Sequence, residues 1–253
     1  MPLDYIKGPV AQLHVDDGGS GGLPVIFVHS FAGSAAHWSA QLEHLRKKRR
    51  AVAFDLRGHG MSAPPDDGDY AIRSLATDIG AVADKLRLVR FVLVGHSIGG
   101  AAAIAYAGMH PDRVAGLVLA GAPGKVRSDQ ARKVLSALEG DYDNAMRPYW
   151  DKLLSGAKPD VRAKIEREMK TMSKEASLRI IRAAFDFDPL PALQRYPGPK
   201  LVLFTSSGDT PNDLQNQVPS IPHRRFESTS HWMQMDEPEE FNQMLDAFLA
   251  SIR

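Results

Sequence analysis

A chain of 253 residues with 31 basic and 30 acidic side chains is long enough to bury a sizeable core unaided, and it has no net field to recruit nucleic acid or an anionic membrane. The absence of cysteine excludes disulfides, thiolate metal sites and cysteine nucleophiles, and suits a reducing compartment. The N-terminal residues lack the basic start and apolar run of a secretion signal, and no stretch reaches the ~18 apolar residues of a membrane span, so a cytoplasmic protein, one domain over 1–253, is expected.

In chain order, a first strand at about 10–15 reads as antiparallel to the next, because only the turn at 18–22 connects them. The Gly/Ser cluster of that turn is no phosphate loop, since no Lys-Ser/Thr follows and a strand comes next. Short runs rich in Val, Leu and Phe then recur at 25–29, 51–55, 91–94, 114–120 and 200–205, separated by helix-length segments. This is the pattern of buried parallel strands joined by crossover helices, an α/β fold with a mostly parallel central sheet. The basic run Lys47-Lys48-Arg49-Arg50 reads as a solvated helix end.

The alternation breaks between Lys125 and Pro191. Spacings such as Val134/Leu135/Leu138, Ile165/Met169/Met172 and Leu178/Ile181/Phe185 follow the helical period, and Ser173 is a suitable N-cap. A helical insertion over the sheet, 125–190, is expected there. A final amphipathic helix spans about 238–252, with Phe241, Met244, Leu245, Phe248 and Leu249 on one face.

Directly after the run Phe91-Val92-Leu93-Val94 comes Gly95-His96-Ser97-Ile98-Gly99-Gly100, followed by the helical Ala101-Ala102-Ala103-Ile104. A strand-to-helix turn this sharp pushes one side chain, Ser97, out at the sheet's edge, and the flanking glycines are needed where a Cβ would not fit. The helix start directs N–H groups at any charge that forms beside the serine. A dinucleotide-binding reading fails, because its second glycine would have to stand where Ser97 is.

On this motif and its placement the chain resembles the α/β-hydrolase fold family from about residue 8 onward, with Ser97 as nucleophile. The resemblance implies further roles. The segment His29-Ser30-Phe31 matches the family's loop after its third strand, so Phe31 and Ile98 would supply the backbone donors of an oxyanion hole. Ser30 replaces the usual glycine there, and His29 holds the loop. In Asp55-Leu56-Arg57-Gly58-His59-Gly60, the polar residues brace the turn and take no part in catalysis. The carboxylate is expected from the end of a later strand: the run at 114–120 leads to no acid, whereas Thr205-Ser206-Ser207-Gly208-Asp209 does, with Asp213 as fallback. The base is His231, on the loop before the last helix, while His223 reads as a surface residue. The order Ser, Asp, His is that of this fold.

A serine hydroxyl is a poor nucleophile until an imidazole takes its proton, and the imidazole needs a carboxylate to fix its tautomer. Acyl transfer to water through Ser97, His231 and Asp209 is therefore expected, with no cofactor and no metal. The partner would be a small-molecule ester of a small to medium apolar acyl group. Trp38, Trp150, Trp232 and Met146 are candidate walls of the acyl pocket, although for each taken singly core packing is the safer reading. Lactone, thioester or carbon–carbon bond hydrolysis, acyl transfer or perhydrolysis, and ligand sensing with a retained triad all stay open. The sequence carries no signal of oligomeric state.

Overall fold

The computed structural model describes residues 4–252. In chain order it contains β1 (Tyr5–Lys7), β2 (Gln12–Gly18), β3 (Val25–Val28), α1 (Ser39–Leu45), β4 (Ala51–Phe54), α2 (Ile72–Lys85), β5 (Phe91–His96), α3 (Ile98–Met109) and β6 (Val114–Ala120). The helices α4 (Ser128–Gly140), α5 (Tyr142–Leu153), α6 (Pro159–Glu168), α7 (Lys174–Asp186) and α8 (Leu190–Arg195) follow without an intervening strand. Then come β7 (Lys200–Thr205), α9 (Leu214–Gln217), β8 (His223–Phe226), α10 (Met233–Asp236) and α11 (Pro238–Ser251).

The eight strands form one sheet in the order β1-β2-β4-β3-β5-β6-β7-β8. β2 pairs antiparallel with β1 and β4, and β3 to β8 run parallel. This is the α/β-hydrolase fold. Side chains alternate across the sheet: Ile26 and Val28 pack with α2 and α3 on one face, Val25 and Phe27 with α1 and α11 on the other. Because helices cover both faces, the central strands are apolar throughout.

Two local expectations are corrected. β1 was not foreseen, since only one of its three side chains, Ile6, is buried and so brief a run has no readable period. The basic segment is not simply solvated: the Arg50 guanidinium donates to both Asp17 carboxylate oxygens at 2.9 and 2.7 Å, and Arg49 donates to Leu23 O. These arginines fasten the loop before β4 to β2 and to the β2–β3 connection.

A buried ion pair braces the turn after β4. Arg57, 1% exposed, donates two hydrogen bonds at 2.8 and 2.6 Å to Asp78 of α2, whose side chain is fully buried. Removing one partner strands the other charge, so Asp78→Ala is expected to lower unfolding free energy by roughly 3–5 kcal/mol. Urea denaturation checks this; a change under 1 kcal/mol would contradict it.

The helices α4–α7 build a third apolar cluster with Trp232, including Leu138, Met146, Trp150 and Ile165. Ser173 accepts a hydrogen bond from Ala176 N and caps α7. The polar ties that join this layer to the sheet and its loops include His37 Nε2 to Glu168 Oε2 at 2.5 Å, Lys158 N to Asp236 Oδ1 at 2.8 Å, and His231 N to Leu153 O at 2.9 Å.

Candidate active site

Ser97 lies between β5 and α3 with φ 53° and ψ −118°, a left-handed region that a residue with a Cβ occupies at a cost of about 1–3 kcal/mol. The neighbours explain the glycines around it. A Cβ on Gly95 would stand 2.5 Å from Gly99 O, and one on Gly99 would stand 2.3 Å from His29 O. The elbow is held by Ser97 N donating to Ala120 O at 2.8 Å. Ile98 opens α3, so its N–H has no partner within the helix. The Phe31 N–H is taken by no backbone acceptor among the described residues.

Ser97, Phe31, Ile98 and His231 line one cavity of about 340 Å³. The sheet edge forms its floor, and α4, α5 and α7 contribute a mainly apolar roof that includes Leu138, Met146, Leu153, Ile180 and Phe185. Helices of the 128–186 segment thus stand directly over the elbow.

His231 is 7% exposed. Its backbone is clamped from two sides: N–H donates to Leu153 O, and the carbonyl accepts from His96 Nε2 at 2.9 Å. The preceding Ser230 is fixed by Asp236 Oδ2, which accepts from Ser230 N at 2.9 Å and Oγ at 2.5 Å. Gly121 leaves room for the imidazole, since a Cβ there would meet His231 Cε1 at 2.7 Å. His231 Nε2 is buried and has no hydrogen-bond partner among the described residues. Burial, followed by the positive charge of Lys152, lowers its pKa to about 4, so at neutral pH the ring is uncharged and free to accept a proton.

Asp209 is not beside that ring. Its carboxylate is on the surface, where Oδ1 accepts from Asn216 Nδ2 at 3.0 Å and Oδ2 is 3.8 Å from Arg225 Nη1. The expected triad is therefore not assembled in this structure, and no carboxylate among the described residues hydrogen-bonds His231. The loop's own polar groups explain the course of the chain. Residues Ser206–Gly208 form a single 3-10 turn, Gln215 Nε2 holds Gly208 O at 2.6 Å, and Asp213 Oδ2 accepts from Thr210 N at 2.9 Å and Oγ1 at 2.5 Å. Asp213, the fallback, does line the cavity, but that carboxylate oxygen is occupied by Thr210.

Of the four candidate pocket residues only Met146 lines the cavity. Trp38 is fully buried on the opposite face of the sheet, against Phe27 and Phe241. Trp150 stacks between Phe31 and Trp232 at centroid distances of 5.8 and 6.2 Å, and the Trp232 ring meets His231 edge-on at 5.5 Å. The last two are packing behind the wall. A large apolar side chain near a motif in sequence does not say which side of that wall it occupies.

His29, His59 and Asp55 are engaged in hydrogen bonds within the loops. His29 Nδ1 is bonded to Ser30 O at 2.7 Å and Nε2 accepts from Leu56 N. Burial drives the pKa values of His29 and His59 down to about 3. Asp55 accepts from Ala35 N, Met61 N and His14. The role of His96 was missed, although it stands inside the motif. It is fully buried, accepts from Gln234 Nε2 at Nδ1, and holds the His231 carbonyl across 135 residues of sequence, a reach that no local spacing signals.

An α/β hydrolase family model matches residues 25–244, and the chain belongs to that family. Among curated proteins it is 28% identical, over 92% of its length, to the dihydrolipoyllysine-residue acetyltransferase component of an acetoin cleaving system from Pseudomonas putida, of which it spans 65%. It is 26% identical to 3-oxoadipate enol-lactonase 2 of Acinetobacter baylyi, covering 89% of this chain and 88% of that one. Among solved structures, an N-acyl homoserine lactone degrading enzyme superposes with a TM-score of 0.83 at 24% identity, over 96% of this chain and 99% of the other. No helix among the described residues is long and apolar enough to cross a membrane.

Proposed function

We propose that the protein is a serine hydrolase that cleaves carboxylic esters of small to medium apolar acyl groups through an acyl-enzyme on Ser97. One observation carries the reading: the strained Ser97, His231, Phe31 and Ile98 line one largely apolar cavity. His231 Nε2 takes the Ser97 proton as Oγ attacks the carbonyl carbon, and the N–H groups of Phe31 and Ile98 receive the oxyanion, each worth roughly 3 kcal/mol. Collapse expels the alcohol, which takes the proton from His231. Water, deprotonated by the same ring, then releases the acid and restores Ser97.

Asp209 is the carboxylate in this reading, brought to His231 by a rearrangement of residues 206–213. Thr205 and Phe226 are register partners on adjacent parallel strands, so the loops bearing Asp209 and His231 leave the same sheet edge side by side. The present contacts of Asp209 are weak. An exposed pair such as Asp209–Arg225, 40% and 41% exposed, contributes no more than about 1 kcal/mol.

The test is a panel of nitrophenyl esters of increasing acyl length, with lactones beside them because a relative is named an enol-lactonase and a lactone is attacked at the same carbonyl. Expected is turnover of short and medium acyl esters that falls once the chain exceeds the cavity. No turnover of any ester or lactone would overturn the reading.

A further inference from the structure

Among the residues that line the cavity, one exposed side chain carries a charge without a partner. Besides His231, the cavity's charged lining side chains are Lys152 and Asp213. An Asp213 carboxylate oxygen accepts two hydrogen bonds from Thr210, whereas Lys152 takes part in no ion pair among the described residues and no hydrogen bond joins its ammonium to a protein acceptor. A lysine in the last turn of a helix is ordinary, since it complements the helix dipole. The surroundings of this one are not. The next residue, Leu153, is buried and its carbonyl holds the His231 N–H at 2.9 Å, so the Lys152 backbone is fixed beside the base. Its charge acts on the imidazole and helps lower the His231 pKa.

Another part of the lining differs in chemistry. Val134 and Leu138 of α4 with Ile180, Ile181 and Phe185 of α7 are apolar, Gln130 being the one polar lining side chain from these two helices, and this surface suits an acyl chain. The leaving alcohol must depart toward His231, which protonates it. The lone cation, one residue from the carbonyl that holds the His231 N–H, and the departing group are therefore both next to His231.

We propose that the natural substrate bears a carboxylate on its alcohol portion, an acylated hydroxy acid, and that Lys152 binds this carboxylate beside His231. The proposal rests on the serine-hydrolase reading above. It makes Lys152 a specificity-determining residue, with the apolar acyl group directed to α4 and α7.

Three aryl esters separate the possibilities: phenyl butyrate, which is neutral; 4-carboxyphenyl butyrate, with the anion on the leaving group; and monophenyl glutarate, with the anion on the acyl side. kcat/KM is measured for each in the parent, Lys152→Met and Lys152→Arg at pH 8, well above the His231 pKa. The quantity compared is the ratio of 4-carboxyphenyl butyrate to phenyl butyrate within each protein, which cancels any change common to both esters. That ratio is expected to fall about two- to fivefold in Lys152→Met, as for loss of an exposed ion pair, to be retained in Lys152→Arg, and to decline with added salt in the parent. An unchanged ratio in Lys152→Met overturns the proposal, as does a fall confined to monophenyl glutarate. Phenyl butyrate reports separately on the underlying reading, which fails if that ester is hydrolysed equally by the Ser97→Ala variant.

Discussion

Ser97→Ala is expected to lower turnover about a million-fold, as for the nucleophile of a comparable triad, while leaving the melting temperature within a degree or two of the parent. The two halves of the expectation have separate causes. A methyl group cannot attack a carbonyl, and the residual rate comes from binding and the oxyanion donors alone. Folding is untouched because Ser97 Oγ makes no hydrogen bond among the described residues, and because alanine meets the same backbone penalty as serine at φ 53°. Steady-state turnover of a short nitrophenyl ester, with thermal unfolding on the same preparation, checks both. A variant that keeps a tenth of the parent's activity removes Ser97 from the mechanism.

Asp209→Asn is expected to cost about four orders of magnitude in turnover, because asparagine keeps the shape but permits the wrong imidazole tautomer. Asp213→Asn should cost far less, since the amide oxygen can still accept from Thr210. The pH profile supplies a second readout with a definite sign. Buried and without a carboxylate neighbour, His231 titrates at about 4. A negative charge brought against the ring favours the imidazolium and raises that value. Activity needs the neutral ring, so kcat/KM of the parent rises through a limb lying above pH 4, and in Asp209→Asn the limb moves down toward 4. If Asp209→Asn stays fully active with an unmoved limb, the carboxylate comes from elsewhere or the enzyme operates as a Ser97–His231 dyad.

The sheet and the elbow were legible because their causes are local. Strands covered on both faces are apolar throughout, and the turn itself demands Gly95, whose Cβ would strike Gly99 O, while Gly99 is demanded by the end of the neighbouring β3. The helices between 125 and 190 showed through their period. Side-chain placement was legible only where one local cause dominates. The position of Asp209 depends on rival hydrogen bonds from Asn216, Gln215 and Thr210, which spacing from β7 cannot rank. Trp38 faces α11, and Trp150 stacks on Phe31, contacts between segments far apart in sequence. His96 stands in the motif itself, but its function is fixed by a carbonyl on the loop after β8.

Covalent labelling addresses the central claim, that Ser97 is a nucleophile activated by His231. An alkyl fluorophosphonate is incubated with the parent, Ser97→Ala and His231→Ala, and the digests are read by mass spectrometry. Expected is one equivalent of label on the peptide containing Ser97 in the parent, none in Ser97→Ala, and labelling slowed at least a hundredfold in His231→Ala, since general-base catalysis contributes about 10²–10⁴. Label on another residue, or labelling of Ser97 at an equal rate without His231, would contradict the account.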